Sequence, residues 1–215
     1  MTPRRPPARF SAARVAGCVA GVAVVVDSAR RARRRRVGAT EAQLFHRFND
    51  RTDRIAAPVW MIMQSGSLGA VFAAAGIVAH RRGLRRAGLV GIAGTAVWIG
   101  AKAIKPVVGR GRPDEYLDVV VVRGAPQRGL GYPSGHAAVA LTLALMLPAA
   151  MGRSPSSVER ALAAAVVGAT GAARMYVGAH LPLDVLGGLA LGTGAGLAGS
   201  ALLPSVKRDT SCRVR

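Results

Sequence analysis

Three short runs hold the residues whose types and spacing could do chemistry. The first, 105–113, reads K-P-V-V-G-R-G-R-P and sets Lys105 six residues before Arg112, counting those between. The second is Pro133, Ser134, Gly135 and His136. The third, 174–184, reads R-M-Y-V-G-A-H-L-P-L-D and places Arg174, His180 and Asp184 at intervals of six and four. Lys105, Arg112 and Arg174 supply cationic donors, and each guanidinium can grip two oxygens of an anion. Ser134 and Gly135 open a helix, so backbone N–H groups and the positive dipole end can face a negative group. Pro182 suits the first turn of a final helix, which brings His180 and Asp184 within reach of each other. A carboxylate beside a histidine fixes its tautomer and raises its basicity. His136 is a second imidazole available for proton transfer. Together the runs describe a phosphate site.

Each run alone has a plainer explanation. H-x-x-x-D in a helix is more often structural, and Arg at a span end usually snorkels. Ser-Gly-His at a helix start is sharper, because packing gives no reason for it. The weight lies in the conjunction of three cations, two histidines and one carboxylate beside apolar helices. His46 and His80 fall at interfacial positions outside it.

The elements that must position these residues are membrane helices. At 215 residues the chain is one domain, half hydrophobic, with 4% aromatic residues and 27 glycines. Its apolar residues fall in long uncharged runs, as in lipid-embedded helices. The expected fold is all-α, a polytopic bundle of five to six spans. Residues 1–39 form a basic N-terminal segment with a short apolar stretch, 40–205 the membrane domain and 206–215 a basic tail. Residues 15–26 are too short for the roughly 20 a span needs, so an uncleaved span must recruit both flanks. A half-buried anchor is the alternative, and a signal peptide lacks its small-x-small cleavage site. Residues 41–54 read as an interfacial amphipathic helix with Leu44, Phe45 and Phe48 on one side. Spans are expected at 55–79, 87–104, 135–151, 161–176 and 183–203. Gly188, Gly192 and Gly196 in the last allow close helix approach. The long connection 106–133 is of the kind that carries function.

The net charge of +20 comes from 30 Lys and Arg against 10 acids. Six arginines lie in residues 30–36. These charges fall between apolar runs, which suits anionic lipid. No nucleic-acid partner is expected, because an aromatic stacking platform is lacking. Cys18 and Cys212 show neither disulfide-framework nor zinc-type spacing.

At these residues the sequence resembles the type 2 phosphatidic acid phosphatase (PAP2), or lipid phosphate phosphatase, family. That family's pattern is K-x6-RP, PSGH and SR-x5-H-x3-D, and Ala173 stands here in place of its serine. The resemblance implies a helical bundle with its site at one membrane face. It also implies His180 as nucleophile, Asp184 orienting it and His136 protonating the leaving group. Lys105, Arg112, Ser134, Gly135 and Arg174 would hold phosphoryl oxygens, with no metal and no cofactor. The implied partners are a lipid phosphate substrate, such as polyprenyl diphosphate or phosphatidate, and the bilayer of the cell membrane. The sequence leaves the oligomeric state open. A vanadium haloperoxidase shares the pocket by resemblance but is larger and soluble. A transporter would carry its polar groups at mid-helix, and a scaffold without catalysis would not keep His136, His180 and Asp184.

Overall fold

The computed structural model describes residues 11–125 and 127–203. The Pro- and Arg-rich start at residues 1–10, Cys212 and the tail at 206–215 lie outside the described residues. Eight α-helices follow in order: α1 Ala12–Ala32, α2 Ala39–Asn49, α3 Ala56–Met63, α4 Leu68–Arg82, α5 Leu84–Val108, α6 Gly135–Ala150, α7 Ser157–Tyr176 and α8 Pro182–Leu202. No strand occurs among the described residues. The all-α membrane bundle expected from the sequence is the observed fold.

Local chemistry sets the boundaries. Ser11 starts α1, accepting the Arg14 N–H at 3.3 Å. Ser156 and Glu159 form a reciprocal capping box on α7. Gly109, at φ 66°, ends α5 and returns its N–H to the Lys105 carbonyl at 2.9 Å. Pro182 occupies the first turn of α8.

Among the described residues three helices are long and apolar enough to cross a membrane, fewer than the five to six spans expected, namely α1, α8 and the segment Leu84–Glu115 that contains α5. The bent pair α3 and α4 forms a fourth when taken as one span. The apolar α6 has 16 residues, and α7 carries Glu159, Arg160 and Arg174. Val19, Phe72, Ile77, Ile92 and Leu162 are exposed, as lipid-facing side chains are.

Two expectations need correction. Residues 55–79 are not one straight helix: α3 and α4 meet at 62° across Gln64–Gly66. Gly66 lies against the backbone of His136 with no room for a side chain. Ser67 then caps α4 by accepting the Ala70 N–H, and Ser65 bonds Thr170 of α7 at 2.8 Å. Local capping and packing therefore override uniform hydropathy. The helix expected over 41–54 stops at Asn49, whose buried amide bonds the carbonyls of Val121, Met175 and Tyr176. Phe45 is buried there, while Leu44 faces outward.

The glycine stripe of α8 packs on α6. A Cβ on Gly188 or Gly192 would meet the Ser134 or Ala138 carbonyl, and one on Gly196 would meet Leu145. On its other side α8 is covered by α1, with Gly17 near Leu197 and Gly21 near Ala190. The pairing is antiparallel, so the end of α1 and its arginines reach the same face as the start of α8. The C-terminal ends of α5 and α7 and the N-terminal ends of α6 and α8 gather there.

Candidate active site

The helix α8 begins with its own polar clamp. The Leu181 N–H donates to Asp184 Oδ2 at 3.0 Å, and Asp184 is fully buried. Its backbone carbonyl accepts the Ser134 N–H at 2.8 Å, joining the starts of α6 and α8. His180, 3% exposed, sits one turn before, with Nδ1 3.5 Å from Asp184 Oδ2. That spacing is a charge contact, long for a hydrogen bond.

The opposite nitrogen, Nε2, is 3.3 Å from Arg112 Nη1. A guanidinium only donates, so the contact assigns the Nε2 lone pair to the Arg112 side and the ring proton to Nδ1, facing Asp184. Arg112 is itself aimed by the carbonyls of Gly129 and Ala179. Lys105 Nζ donates to the carbonyls of Leu130 and Gly131 at 2.7 and 2.8 Å. Arg174 is 4% exposed and its Nη1 meets the Met63 sulfur at 3.0 Å. Burial, then the charges of Arg174, Arg112 and Lys105, and last His136, push the His180 imidazole well below its ordinary pKa.

The structure thus brings together the site residues expected from the sequence. Lys105, Arg112, Arg174 and His136 all lie within electrostatic reach of His180, and Ser134 and Gly135 begin α6 beside them. Ser134 Oγ and Arg174 Nε are buried with no hydrogen-bond partner. An oxyanion would satisfy both. Ala173 packs among Met63, Tyr176, Val177 and Ala179.

Four contributors were not foreseen. Arg110 is fully buried and bonds both Asp184 and Glu41. Tyr132 ties the loop before α6 to α1, its hydroxyl donating to the Val25 carbonyl at 2.9 Å and sharing a bond with Ser28. Asn49 anchors the connection at Val121 and the end of α7. A further arginine inside the 105–113 run was the one available signal, since Glu41, Asn49 and Tyr132 are distant in sequence. Among the described residues no His, Cys, Asp and Glu group is placed to hold a metal. Two crevices of about 510 and 700 Å³ between helices contain none of the site residues, and the chemistry lies at the helix ends.

The bundle thus gathers three cations within electrostatic reach of a histidine that faces a buried carboxylate. The profile of the PAP2 superfamily matches residues 84–207, and the chain belongs to that superfamily as a hydrolase of phosphoric esters. No curated protein matches the sequence. Among solved structures, the chain is similar to LpxE of Aquifex aeolicus, with TM-score 0.65 and 22% identity, over 75% of this chain and 95% of that one. It is also similar to a transmembrane PAP2 type phosphatidylglycerolphosphate phosphatase of Bacillus subtilis, with TM-score 0.67 and 17% identity, over 83% and 92%. At these identities the two show a shared fold.

Proposed function

We propose that this protein hydrolyses the phosphate of a lipid phosphate or diphosphate through a phosphohistidine on His180, with polyprenyl diphosphate the first candidate substrate. The supporting observation is the convergence of Lys105, Arg112 and Arg174 on the His180 ring, beside the unpartnered Ser134 Oγ and Arg174 Nε. These donors bind the phosphoryl oxygens and stabilise charge as it develops. Nε2 of neutral His180 attacks phosphorus as the bond to the leaving oxygen breaks. His136 delivers a proton to that oxygen, and the Asp184 carboxylate balances the charge formed on the ring. Water, yielding a proton to His136, then attacks phosphorus. The P–N bond breaks, inorganic phosphate leaves and His180 returns neutral. Names of the similar solved proteins, one of them a phosphatidylglycerolphosphate phosphatase, favour a lipid substrate. The site-chain cations already neutralise the anion, so no metal is required; full activity in chelator supports this, and loss restored by magnesium contradicts it.

Rapid quench with radiolabelled substrate tests the covalent step. His180→Ala abolishes turnover and label on the protein. His136→Ala retains phosphoenzyme formation when the leaving group is a nitrophenolate. Label on a serine, or near-normal turnover by His180→Ala, refutes the mechanism.

The same proposal puts the protein in the cell membrane with the site on the exterior face. Antiparallel packing of α1 on α8 sets the start of α1 away from the site, and Arg86 at the far end of α6 carries Arg81, Arg82 and Arg85 there too. The positive-inside rule makes that side internal, while the arginines of 30–36 on the site's face count against it. A cysteine replacing Arg128 in a cysteine-free background reacts with an impermeant reagent in intact cells. Protection until lysis reverses the orientation.

A further inference from the structure

We propose that Arg110 and Glu41 are positioning residues that set the Asp184 carboxylate for His180, an inference that rests on the reading of His180 and Asp184 as the acting pair. Asp184 has two oxygens and divides them. Oδ1 takes Arg110 Nη1 at 3.1 Å, and Oδ2 takes the Leu181 N–H at 3.0 Å while facing His180 Nδ1. Arg110 spends its other terminal nitrogen on Glu41 Oε2 at 2.8 Å, and Glu41 Oε1 accepts the Leu183 N–H at 3.0 Å. The contacts close a ring, from Glu41 through Arg110 to Asp184 and back through the first turn of α8. Within it the carboxylate cannot rotate without breaking a charged hydrogen bond in a buried setting. Oδ2 is therefore held toward the ring nitrogen it must serve.

Two arginines of one run bracket His180. Arg112 faces Nε2 directly, and Arg110 acts on the Nδ1 side through Asp184. The left-handed Gly109 and the side-chain-free Gly111 and Gly131 leave room for this turn, since a Cβ on Gly131 would meet the Gly111 carbonyl and Asp184. Glu41 enters from α2, outside the residues 84–207 that the superfamily profile matches. Part of the control of the pair is thus contributed from outside the matched region.

The full-length protein is assayed in detergent against nitrophenyl phosphate and a lipid phosphate. Glu41→Gln lowers kcat by ~10-fold, Arg110→Lys by a similar factor and Arg110→Met by ~100-fold or more, the range typical of groups that orient a catalytic ligand. KM and inhibition by inorganic phosphate stay within about 3-fold for Glu41→Gln, because the phosphate donors are untouched. In an Asp184→Asn background, Glu41→Gln costs less than about 2-fold more, since its effect passes through the carboxylate. An undiminished multiplicative loss there, an unchanged kcat, or a loss appearing only in KM overturns the proposal. If Arg110→Met fails to fold, Glu41→Gln and its double variant decide. A wild-type protein without phosphatase turnover, or an active His180→Ala, refutes the underlying reading instead.

Discussion

Arg86 donates to the carbonyls of Ala149 and Ala150 at 3.1 and 3.0 Å, at the C-terminal end of α6. At the other end of the same helix, Arg174 lies near His136, and its Nε has no partner. A helix C-terminus is partially negative and a cation there complements it; an N-terminus is partially positive and a cation there opposes it. The first arginine completes a structure. The second ends α7, whose C-terminus it complements, yet it also faces the positive start of α6 with a buried N–H left unpartnered, which an anion bound there would satisfy. On the proposed reading, similar burial, 9% against 4% exposure, serves stability at one end and affinity for an oxyanion at the other.

The sharpest way to break this comparison is to remove each guanidinium in turn. Arg174→Met lowers kcat/KM by ~100- to 1,000-fold, the loss typical of one preorganised donor, while the protein remains folded. Arg86→Met keeps kcat/KM per folded molecule within about 2-fold but lowers stability by about 1–3 kcal/mol, the cost of leaving buried acceptors unmade. Activity loss from Arg86→Met in a protein that melts normally would erase the distinction.

Ligand-induced stabilisation sharpens it next. Inorganic phosphate at 100 times its dissociation constant stabilises the native protein by about 2.7 kcal/mol. The rise in melting temperature persists in Arg86→Met and disappears in Arg174→Met. A third prediction concerns the body of α6: Gly192→Leu drives a side chain into the Ala138 carbonyl and destabilises by about 1–3 kcal/mol, the usual cost of overpacking. Thermal unfolding in detergent measures it, and an unchanged midpoint would show that α6 and α8 can separate freely.

The smallest effect is on pH dependence. Burial and the cations Arg174, Arg112 and Lys105 depress His180, with Asp184 facing Nδ1 from α8. A histidine depressed in the folded state remains neutral as pH falls through 6.5, where the unfolded chain takes up its proton. The acid limb of kcat/KM due to His180 thus lies below 6.5, while this group's contribution to stability declines below 6.5. A His180 limb at or above 6.5 contradicts the assigned surroundings.

The bundle and the position of the three runs were legible because both depend on local signals. Apolar length marks helices, and Pro182 and Ser134 mark the starts of two of them. The resemblance supplied the expected roles; Arg112 and Asp184 flank His180, and Arg174 lies within its electrostatic reach. What escaped was non-local. The bend at Gln64–Gly66 depends on the His136 backbone across the bundle, which no hydropathy pattern reveals. Glu41 lies 69 residues from Arg110, and only the fold turns an ordinary helix-start acid into its partner. Asn49 stopped a helix because buried carbonyls from two other segments claimed its amide.

The glycines that bring α6 against α8 have a consequence for how a substrate can enter. Ser134 and His136 travel with one helix, Asp184 with the other, and the Ser134 N–H to Asp184 carbonyl bond pins their starts. With backbone resting on side-chain-free backbone at Gly188 and Gly192, there is no slack between the two halves of the machinery. They form a single chassis whose spacing is fixed before any lipid arrives. A head group that reaches His180 must do so without prying that chassis apart, and α2 through Glu41 and the α3–α4 bend through Gly66 are bound into the same frame.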